Sequence, residues 1–123
     1  MTKWFIEFCD EFDVDFASMA EVVQDELLAQ LKVVERFGPD LGRPHVDTLK
    51  GSKHANMKEL RFKADNGVWR IAFAFDPYRK AVVLVGGDKS GSSEKRFYKV
   101  LIRTADVRFD RHLASLKQEV SNG

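Results

Sequence analysis

Apolar and polar residues alternate with the two-residue period of β-strands in several segments of the chain. The first segment is KWFIEF, in which Trp4, Ile6 and Phe8 share one face. The later segments are MKELRF, VWRIAFAF and AVVLVGG, which together predict a three-strand antiparallel meander. The first two of these are separated by KADNG, where Asn66 and Gly67 predict a tight hairpin turn because both residues tolerate positive φ.

Two other segments follow the helical period. The first has an apolar stripe at spacings of three and four residues, made by Val23, Leu27, Leu31 and Val34. This helix is predicted to begin at a capping box from Ser18 to Glu21 and to end at Gly38. The second helix begins at about residue 92, with a possible break near Thr104, and its stripe is Phe97, Leu101, Ala105, Phe109, Leu113 and Leu116.

The order of these elements predicts the class of fold. A strand and a helix, or a helical hairpin, are followed by a long irregular connection over residues 38–57, by the meander and by the C-terminal helix. We therefore expect an α+β fold and one domain spanning residues 1–123.

Composition narrows the class of protein. The chain is 44% hydrophobic and 32% charged, and it has no apolar run long enough to span a membrane. The N-terminus turns acidic within seven residues and lacks the pattern of a secretory signal. Cys9 is the only cysteine, which excludes an internal disulfide and a multi-cysteine zinc site. We expect a soluble cytoplasmic protein in which Cys9 is a buried structural thiol.

The net charge of +1 hides two oppositely charged parts of the chain. Residues 1–31 contain one Lys and eight acids, a net charge of −7, whereas residues 32–123 contain nineteen Lys or Arg and eleven acids, a net charge of +8. The overall neutrality argues against a protein that binds nucleic acid through its whole surface. Nucleic-acid binding would have to come from a local group of cations.

The cations of the meander are expected to converge. Alternation places Glu59 and Arg61 on one face, and pairing through the hairpin can bring Arg61 beside Arg70, where two arginines repel unless an anion lies between them. Lys89 lies in a glycine-rich bend before the last helix, a setting that binds phosphate. The alternative is that each cation is a solvated residue that protects a sheet edge from aggregation.

Few motifs point to other chemistry. His45, His54 and His112 are widely spaced without cysteine companions, so no metal site is expected, and the chain has none of the common phosphate-binding or nucleophile motifs. His54 lies beside Lys50 and Lys53 in the long loop, where it is a candidate acid or base near neutral pH or, alternatively, an exposed loop histidine.

Four segments resemble a known family of proteins. GPDLGRPHVDTLKGSKHANMKELRF, GVWRIAFAFD, the strand ending in GGDK and the helix beginning SEKRFYKVLI resemble the RelE/ParE toxin superfamily, specifically its phage-derived Gp49-like, HigB-type branch. The resemblance implies a RelE-like fold and the toxin of a type II toxin-antitoxin system. Such a toxin is a ribosome-dependent mRNA endoribonuclease (mRNA interferase) that inhibits translation. The resemblance also implies that the ribose 2′-hydroxyl attacks the adjacent phosphate without a metal or another cofactor. The implied partners are the ribosome, mRNA and an antitoxin, often of the helix-turn-helix type.

The resemblance also implies roles for individual residues. Arg61, Arg70 and Lys89 match cationic positions that stabilise the reacting phosphate, with Arg70 as the central one. Lys95 and Tyr98 lie near positions where members of the family carry a further basic residue and a tyrosine or histidine. The residues expected to contact RNA are Lys50, Lys53, His54, Lys58 and Trp69. No residue is assigned as the general base.

Two alternatives to the nuclease stay open. One is a ParE-like toxin that poisons DNA gyrase without catalytic side chains, and the other is an inactive phage-derived member that only binds its partner. Residues 1–31 are expected to face away from RNA, where an antitoxin or a ribosomal protein meets them or they simply face solvent. The sequence leaves the oligomeric state, the codon preference and the identity of the antitoxin open.

Overall fold

A computed structural model of the chain describes residues 3–91 and 93–122, with side chains described as far as residue 119. The elements in chain order are β1 (Phe5–Phe8), α1 (Asp10–Ala17), α2 (Glu21–Phe37), a short 3-10 turn (Gly38–Asp40), β2 (Val46–Thr48), β3 (Met57–Ala64), β4 (Gly67–Phe75), β5 (Lys80–Asp88) and α3 (Glu94–Asn122). Across residues 3–91 and 93–122, none of the helices combines the length and apolar composition that crossing a membrane requires.

The strands form one five-stranded sheet in the order β1-β5-β4-β3-β2. β3, β4 and β5 are the predicted antiparallel meander, and β2 joins the outer edge of β3. β1 pairs with β5 in the parallel direction, so the first strand of the chain lies beside the last one. The α+β class predicted from the sequence is confirmed.

Both faces of the sheet are covered by helices. On one face, α1 and α2 pack against residues that include Leu60, Ile71 and Phe73. On the other face, α3 packs against residues that include Ala72 and Leu84. Because side chains alternate along a strand, β3 and β4 each contribute to both cores. The polar residues of interest lie on the α3 face.

Two helices follow β1, so the helical hairpin is the alternative that the structure has, although the bounds of α1 were not predicted. The predicted capping box is wrong. The Ser18 hydroxyl donates to the Asp15 carbonyl at 2.8 Å and so closes the end of α1, whereas α2 begins at Glu21 after Ala20. The acids in the first turn of α1 suit the positive end of the helix dipole. Only Phe12 in this helix is fully buried, so its sequence shows no apolar stripe.

The connections also differ in detail from the predictions. The stretch predicted to be irregular contains the 3-10 turn and the edge strand β2. The hairpin turn lies one residue earlier than predicted, because Asp65 and Asn66 adopt φ of 50° and 60° and Gly67 already begins β4. The last helix is continuous through Thr104, and its predicted start at about residue 92 lies outside the described residues.

Candidate functional site

An open groove of about 310 Å³ lies on the α3 face of the sheet, where β3, the loop after β2, the bend after β5 and the start of α3 meet. We call it the cation groove. Its lining residues are Asp47, Thr48, Leu49, Lys50, Glu59, Arg61, Lys89, Glu94 and Tyr98. Cations from three separate stretches of the chain therefore converge on one surface, together with three carboxylates.

A buried carboxylate lies between the two arginines of the hairpin. The strand register pairs Arg61 directly with Arg70, as alternation through the hairpin predicted. Glu59 lies two residues earlier on the same face of β3, and its Oε1 is 3.7 Å from the Nε of each arginine. The anion that the paired arginines require is therefore supplied by the chain itself.

Tyr98 connects this carboxylate to the buried arginine. Its hydroxyl donates to Glu59 Oε1 at 3.1 Å and accepts from the Nε of Arg70 at 3.2 Å. The close approach of α3 to the sheet depends on a glycine, because a Cβ at Gly87 would lie 3.0 Å from the ring of Phe97, next to Tyr98. The beginning of α3 can therefore bring a phenol to the arginine pair.

Burial changes the acidity of both groups. Glu59 is only 6% exposed, and this burial raises the pKa of its carboxyl in spite of the hydrogen bond from Tyr98 and the charges of Arg70 and Arg61. Burial likewise raises the pKa of the Tyr98 phenol. The groove therefore holds a carboxylate that accepts a proton more readily than an exposed one and a phenol that keeps its proton near neutral pH.

Carboxylates also pair with the cations at the rim. The Nζ of Lys89 lies 2.9 Å from Glu94 Oε1 and 5.9 Å from the centroid of the Tyr98 ring. The hydrogen bond from Lys89 lowers the pKa of Glu94. Arg61 has a second carboxylate partner, with its Nη1 3.8 Å from Asp47 Oδ2.

Not all of the predicted catalytic residues line the groove. Arg61, Lys89 and Tyr98 do. Arg70 lies beneath the groove, with a side chain that is 8% exposed and an Nη1 that donates to the Trp69 carbonyl at 2.9 Å. Lys95 is exposed on α3, one turn before Tyr98. The structure therefore places Arg70 where it can act on the groove through Glu59 and Tyr98.

Of the residues expected to contact RNA, Lys50 lines the groove and the other four lie elsewhere. Lys53 and His54 pair with Asp110 of α3 at 2.5 and 2.8 Å, and twelve residues of helix, roughly 18 Å, separate Asp110 from Tyr98. Lys58 lies on the opposite face of β3 from Glu59 and donates to Thr48 Oγ1 at 3.3 Å. Trp69 packs against the core beneath α1 and α2.

Glu59 is the site residue that sequence reasoning missed. Alternation already placed it on the face of Arg61, one diagonal step from Arg70, so a signal was present. Its burial and its contact with Tyr98 depend on packing between residues 39 positions apart. The carboxylates of Asp47 and Glu94 were not predicted either, because only tertiary packing brings them beside the cations.

Comparison with protein families identifies the family of this chain. The model of the family described as "Phage derived protein Gp49-like (DUF891)" matches residues 14–110. The chain belongs to the Gp49-like family. The match includes Glu59, Arg61, Arg70, Lys89 and Tyr98, so the whole charged cluster lies within the part of the chain that defines the Gp49-like family.

Two relatives from Mycobacterium tuberculosis are similar to this Gp49-like chain. One, named "Putative toxin HigB2", is 45% identical over 92 residues, which cover 74% of this chain and 45% of HigB2. The other, "Putative toxin HigB3", is 49% identical over 85 residues, which cover 69% of this chain and 72% of HigB3. The chain therefore matches about half the length of the first relative and most of the second.

A solved structure shares the fold of this Gp49-like chain. It is a mutant of the E. coli toxin RelE in the free state, with a TM-score of 0.57 and 14% sequence identity. The superposition covers 82% of this chain and 95% of that chain. At this identity the likeness is one of fold, and it agrees with the RelE-like α+β architecture expected from the sequence.

Proposed function

We propose that this Gp49-like chain is the toxin of a type II toxin-antitoxin system and that it cleaves mRNA in the translating ribosome. The arrangement of Glu59, Tyr98 and Arg70 beside the cations of the groove is the observation that carries this proposal. Cleavage of RNA without a metal needs a proton acceptor, a proton donor and positive charge at the phosphate, and the groove contains all three. The toxin names of the two relatives support the same proposal.

In the proposed reaction, the Glu59 carboxylate takes the proton of a ribose 2′-hydroxyl. The 2′-oxygen forms a bond to the adjacent phosphorus while the bond from phosphorus to the 5′-oxygen breaks, which gives a 2′,3′-cyclic phosphate and a 5′-hydroxyl. The ammonium group of Lys89 gives a proton to the leaving 5′-oxygen. Arg61 stabilises the negative charge that develops on the phosphate.

Arg70 and Tyr98 have positioning roles in this proposal. Arg70 is buried, and its Nε donates to the Tyr98 hydroxyl, which in turn donates to Glu59 Oε1. Two fixed neighbours of this kind restrict the Glu59 side chain to one orientation. Substitution of Arg70 or Tyr98 should therefore lower the cleavage rate through the placement of Glu59.

An RNA phosphate must compete with the carboxylates of the groove. In the free chain, Lys89 is paired with Glu94, and Arg61 is near Glu59 and Asp47. A phosphate that binds Lys89 and Arg61 displaces the exposed partner Glu94, whose side chain is 71% exposed and free to turn towards solvent. The binding of RNA is therefore an exchange of ionic partners.

The partners and the location follow from the same proposal. The chain acts in the cytoplasm on ribosome-bound mRNA, and a cognate antitoxin, of the helix-turn-helix type, holds it inactive. The negative charge of residues 1–31 is concentrated in β1, α1 and α2, which lie away from the cation groove, and this supports a protein partner on that side.

The test is inducible expression in a bacterial host without the antitoxin, with growth and mRNA 5′ ends followed together. The variants are Glu59→Gln and Lys89→Ala, and Lys117→Ala is the matched control, an exposed lysine near the far end of α3. We expect the wild type and the control to arrest growth and to cut mRNA within translated codons, and the two groove variants to lose both effects while they stay folded.

The other outcomes separate the alternatives. Growth arrest with intact mRNA and an induced DNA-damage response would replace the nuclease with a gyrase poison. The absence of any arrest by the wild type would leave a member of the family that only binds its partner. Full cleavage by a folded Glu59→Gln variant would overturn the assignment of the base.

A further inference from the structure

A second groove, of about 620 Å³, lies at the opposite edge of the sheet from β2. It runs between the outer edge of β1 and one side of α2, and we call it the β1 groove. Its lining residues are Ile6, Glu7, Phe8, Asp13, Leu28, Leu31, Lys32 and Glu35. None of these residues lines the cation groove.

One wall of the β1 groove is the open edge of a β-strand. β1 is the terminal strand of the sheet, and the N–H groups of Phe5 and Cys9 bond to the β5 side at 2.9 and 3.1 Å. Successive backbone groups point to opposite sides of a strand, so the N–H and C=O groups of Ile6 and Phe8 point outwards into the groove. Such a row of backbone groups is a template for an added strand.

The start of this edge already shows the bonding that an added strand would continue. The N–H of Trp4 points outwards and donates to the Glu35 carbonyl at the end of α2, at 3.0 Å. Beyond Trp4, residues of β1 and of α2 line the two sides of the groove. An extended segment placed there would take over the outward groups of Ile6 and Phe8.

The other wall of the groove is apolar. Leu28 of α2 is 44% exposed, and Leu31 lies one turn further along the same helix. The half-buried side chains of Ile6 and Phe8 complete this surface. An extended segment would direct every second side chain towards it, so the segment should have apolar residues at alternate positions.

The charged side chains that line the β1 groove predict which residues occupy the remaining positions of the bound segment. Its lining contains three carboxylates, from Glu7, Asp13 and Glu35, and one cation, Lys32. Glu7 is already paired with Lys80 at 2.9 Å and Glu35 is 3.9 Å from Lys3, so Asp13 and Glu35 are the carboxylates that a bound segment would meet. Residues 1–31 have a net charge of −7. This surface attracts a cationic peptide and repels acidic peptides, RNA and a second copy of the same surface.

We propose that the β1 groove binds an extended segment of a partner protein, with alternating apolar and basic residues, as a sixth strand of the sheet. The segment pairs with the outer edge of β1, its apolar side chains pack on Leu28, and its basic side chains lie near Glu35 and Asp13. That the antitoxin supplies this segment rests on the function proposed above, whereas the binding chemistry does not.

The test uses the full chain and three labelled decapeptides with blocked ends. The probe alternates valine and lysine, the second peptide replaces every lysine with glutamate, and the third is the probe with its four central backbone nitrogens methylated. We expect both modified peptides to bind at least tenfold more weakly than the probe, because one reverses the charge and the other lacks the donors of a strand. In the complex with the probe, exchange of the Ile6 and Phe8 amides should slow at least tenfold, with no change at Glu7.

Matched variants locate the binding surface. Leu28→Ser and Glu35→Lys should each weaken the binding of the probe at least fivefold. Val22→Ser and Asp40→Lys are the controls, because both residues are exposed and lie outside the groove. Both controls should bind the probe within twofold of the wild type.

Several results would overturn the proposal. These are a wild type that does not bind the probe, equal binding of the acidic peptide, unchanged exchange at Ile6 and Phe8, or a dimer of the chain that the probe dissociates. The four variants should cleave mRNA like the wild type. If the wild type does not cleave mRNA, the proposed nuclease activity is contradicted. The peptide measurements would still test the β1 groove independently.

Discussion

At the scale of single residues, Glu59 determines what the cation groove can do. An isolated pair of arginines on neighbouring strands would repel, and a carboxylate between them removes that repulsion. The carboxylate is itself buried, and this burial raises the pKa of Glu59 in spite of the hydrogen bond from Tyr98 and the charges of the two arginines. A residue held in this way contributes little to stability when charged and is suited to accept a proton.

The pH dependence of stability tests this description of Glu59. Because its pKa is raised in the folded state, the folded chain holds this proton more tightly than the unfolded chain does. The free energy of unfolding should therefore fall as pH rises from the ordinary carboxyl pKa, about 4.3, through the raised pKa of Glu59. Glu59→Gln removes this fall, so its free energy of unfolding should improve relative to the wild type as pH rises, as measured by urea unfolding from pH 4 to pH 8.

Glu94→Gln is the control for this experiment. The pKa of Glu94 is lowered by Lys89, so its contribution to stability is present above the ordinary carboxyl pKa and is lost as pH falls through the lowered value. As pH rises, Glu94→Gln should therefore lose stability relative to the wild type, the opposite of Glu59→Gln. Because this change lies below the ordinary carboxyl pKa, Glu94→Gln is measured from about pH 2 to pH 5. Parallel curves for the wild type and Glu59→Gln would show that Glu59 titrates normally.

The hydroxyl of Tyr98 provides a second prediction at this scale. Tyr98→Phe removes one oxygen that bonds both Arg70 and Glu59. We expect a loss of about 1 to 3 kcal/mol in the free energy of unfolding, because hydrogen bonds to charged groups are lost. The cleavage rate should fall by about tenfold or more as Glu59 loses its fixed orientation.

The chain contains a matched control for Tyr98. Tyr78 is 53% exposed in the turn between β4 and β5, and Tyr78→Phe should change stability by less than about 0.5 kcal/mol. Thermal unfolding and cleavage assays on the two variants provide the comparison. Equal effects of the two substitutions would contradict a special role for the Tyr98 hydroxyl.

At the scale of elements, the sequence predicted what local pattern controls. The meander, β1 and the stripes of α2 and α3 follow from periodicity, and so does the pairing of Arg61 with Arg70. A helical hairpin after β1 was one alternative from the sequence, but the bounds of α1 were not predicted, because its sequence is dense in acids and buries one aromatic ring fully. β2 was not predicted either, since a strand of three residues at an edge forms through its pairing with β3 rather than through a pattern of its own.

The candidate site likewise has some features that local sequence pattern predicts and others that depend on tertiary packing. The convergence of Arg61, Lys89 and Tyr98 could be predicted in outline from the order of the elements and the family resemblance. The placement of Lys53 and His54 could not, because it depends on where the loop meets α3: Asp106 accepts from Ser52 Oγ at 2.5 Å, and Asp110 accepts from Lys53 and His54. Such contacts join residues more than fifty positions apart and leave no local signal.

The hairpin turn gives a prediction for an element. Asn66 has a φ of 60°, in the left-handed region where β-branched residues are strained. We expect Asn66→Val to lower the free energy of unfolding by about 1 to 2 kcal/mol. Asn66→Gly, the matched control, should change it by less than about 0.5 kcal/mol, since glycine adopts this conformation freely. If chemical denaturation gives equal stabilities for the two variants, the turn does not have this geometry in solution.

At the scale of the whole molecule, negative and positive charges are concentrated in different parts of the chain. At the cation groove itself, however, they nearly balance. Four cations, Lys50, Arg61, Arg70 and Lys89, lie in or beneath it with three carboxylates. The near-neutral net charge of the chain is therefore matched by a near-neutral groove. This balance implies that binding of RNA outside the ribosome depends weakly on salt.

The salt dependence of binding can be measured with a labelled 2′-O-methyl oligonucleotide, which lacks the attacking hydroxyl. Each phosphate of a single strand that is neutralised contributes about 0.7 to the slope of log affinity against log salt. Four cations therefore limit the slope to a magnitude of about 3, and Glu94→Gln should bind more tightly at low salt. A slope with a magnitude above about 5 in fluorescence anisotropy would show that RNA binds a larger surface than the groove.

The parallel pairing of β1 with β5 also has a consequence for synthesis. Phe5 lies beside Lys80 and Phe8 beside Val83, so β1 cannot enter the sheet until β5 has been made. Tyr98 follows later still, on α3. A nascent chain therefore has neither a closed sheet nor a complete cation groove until α3 has been made, and under the function proposed above a product released before Tyr98 would lack a complete site.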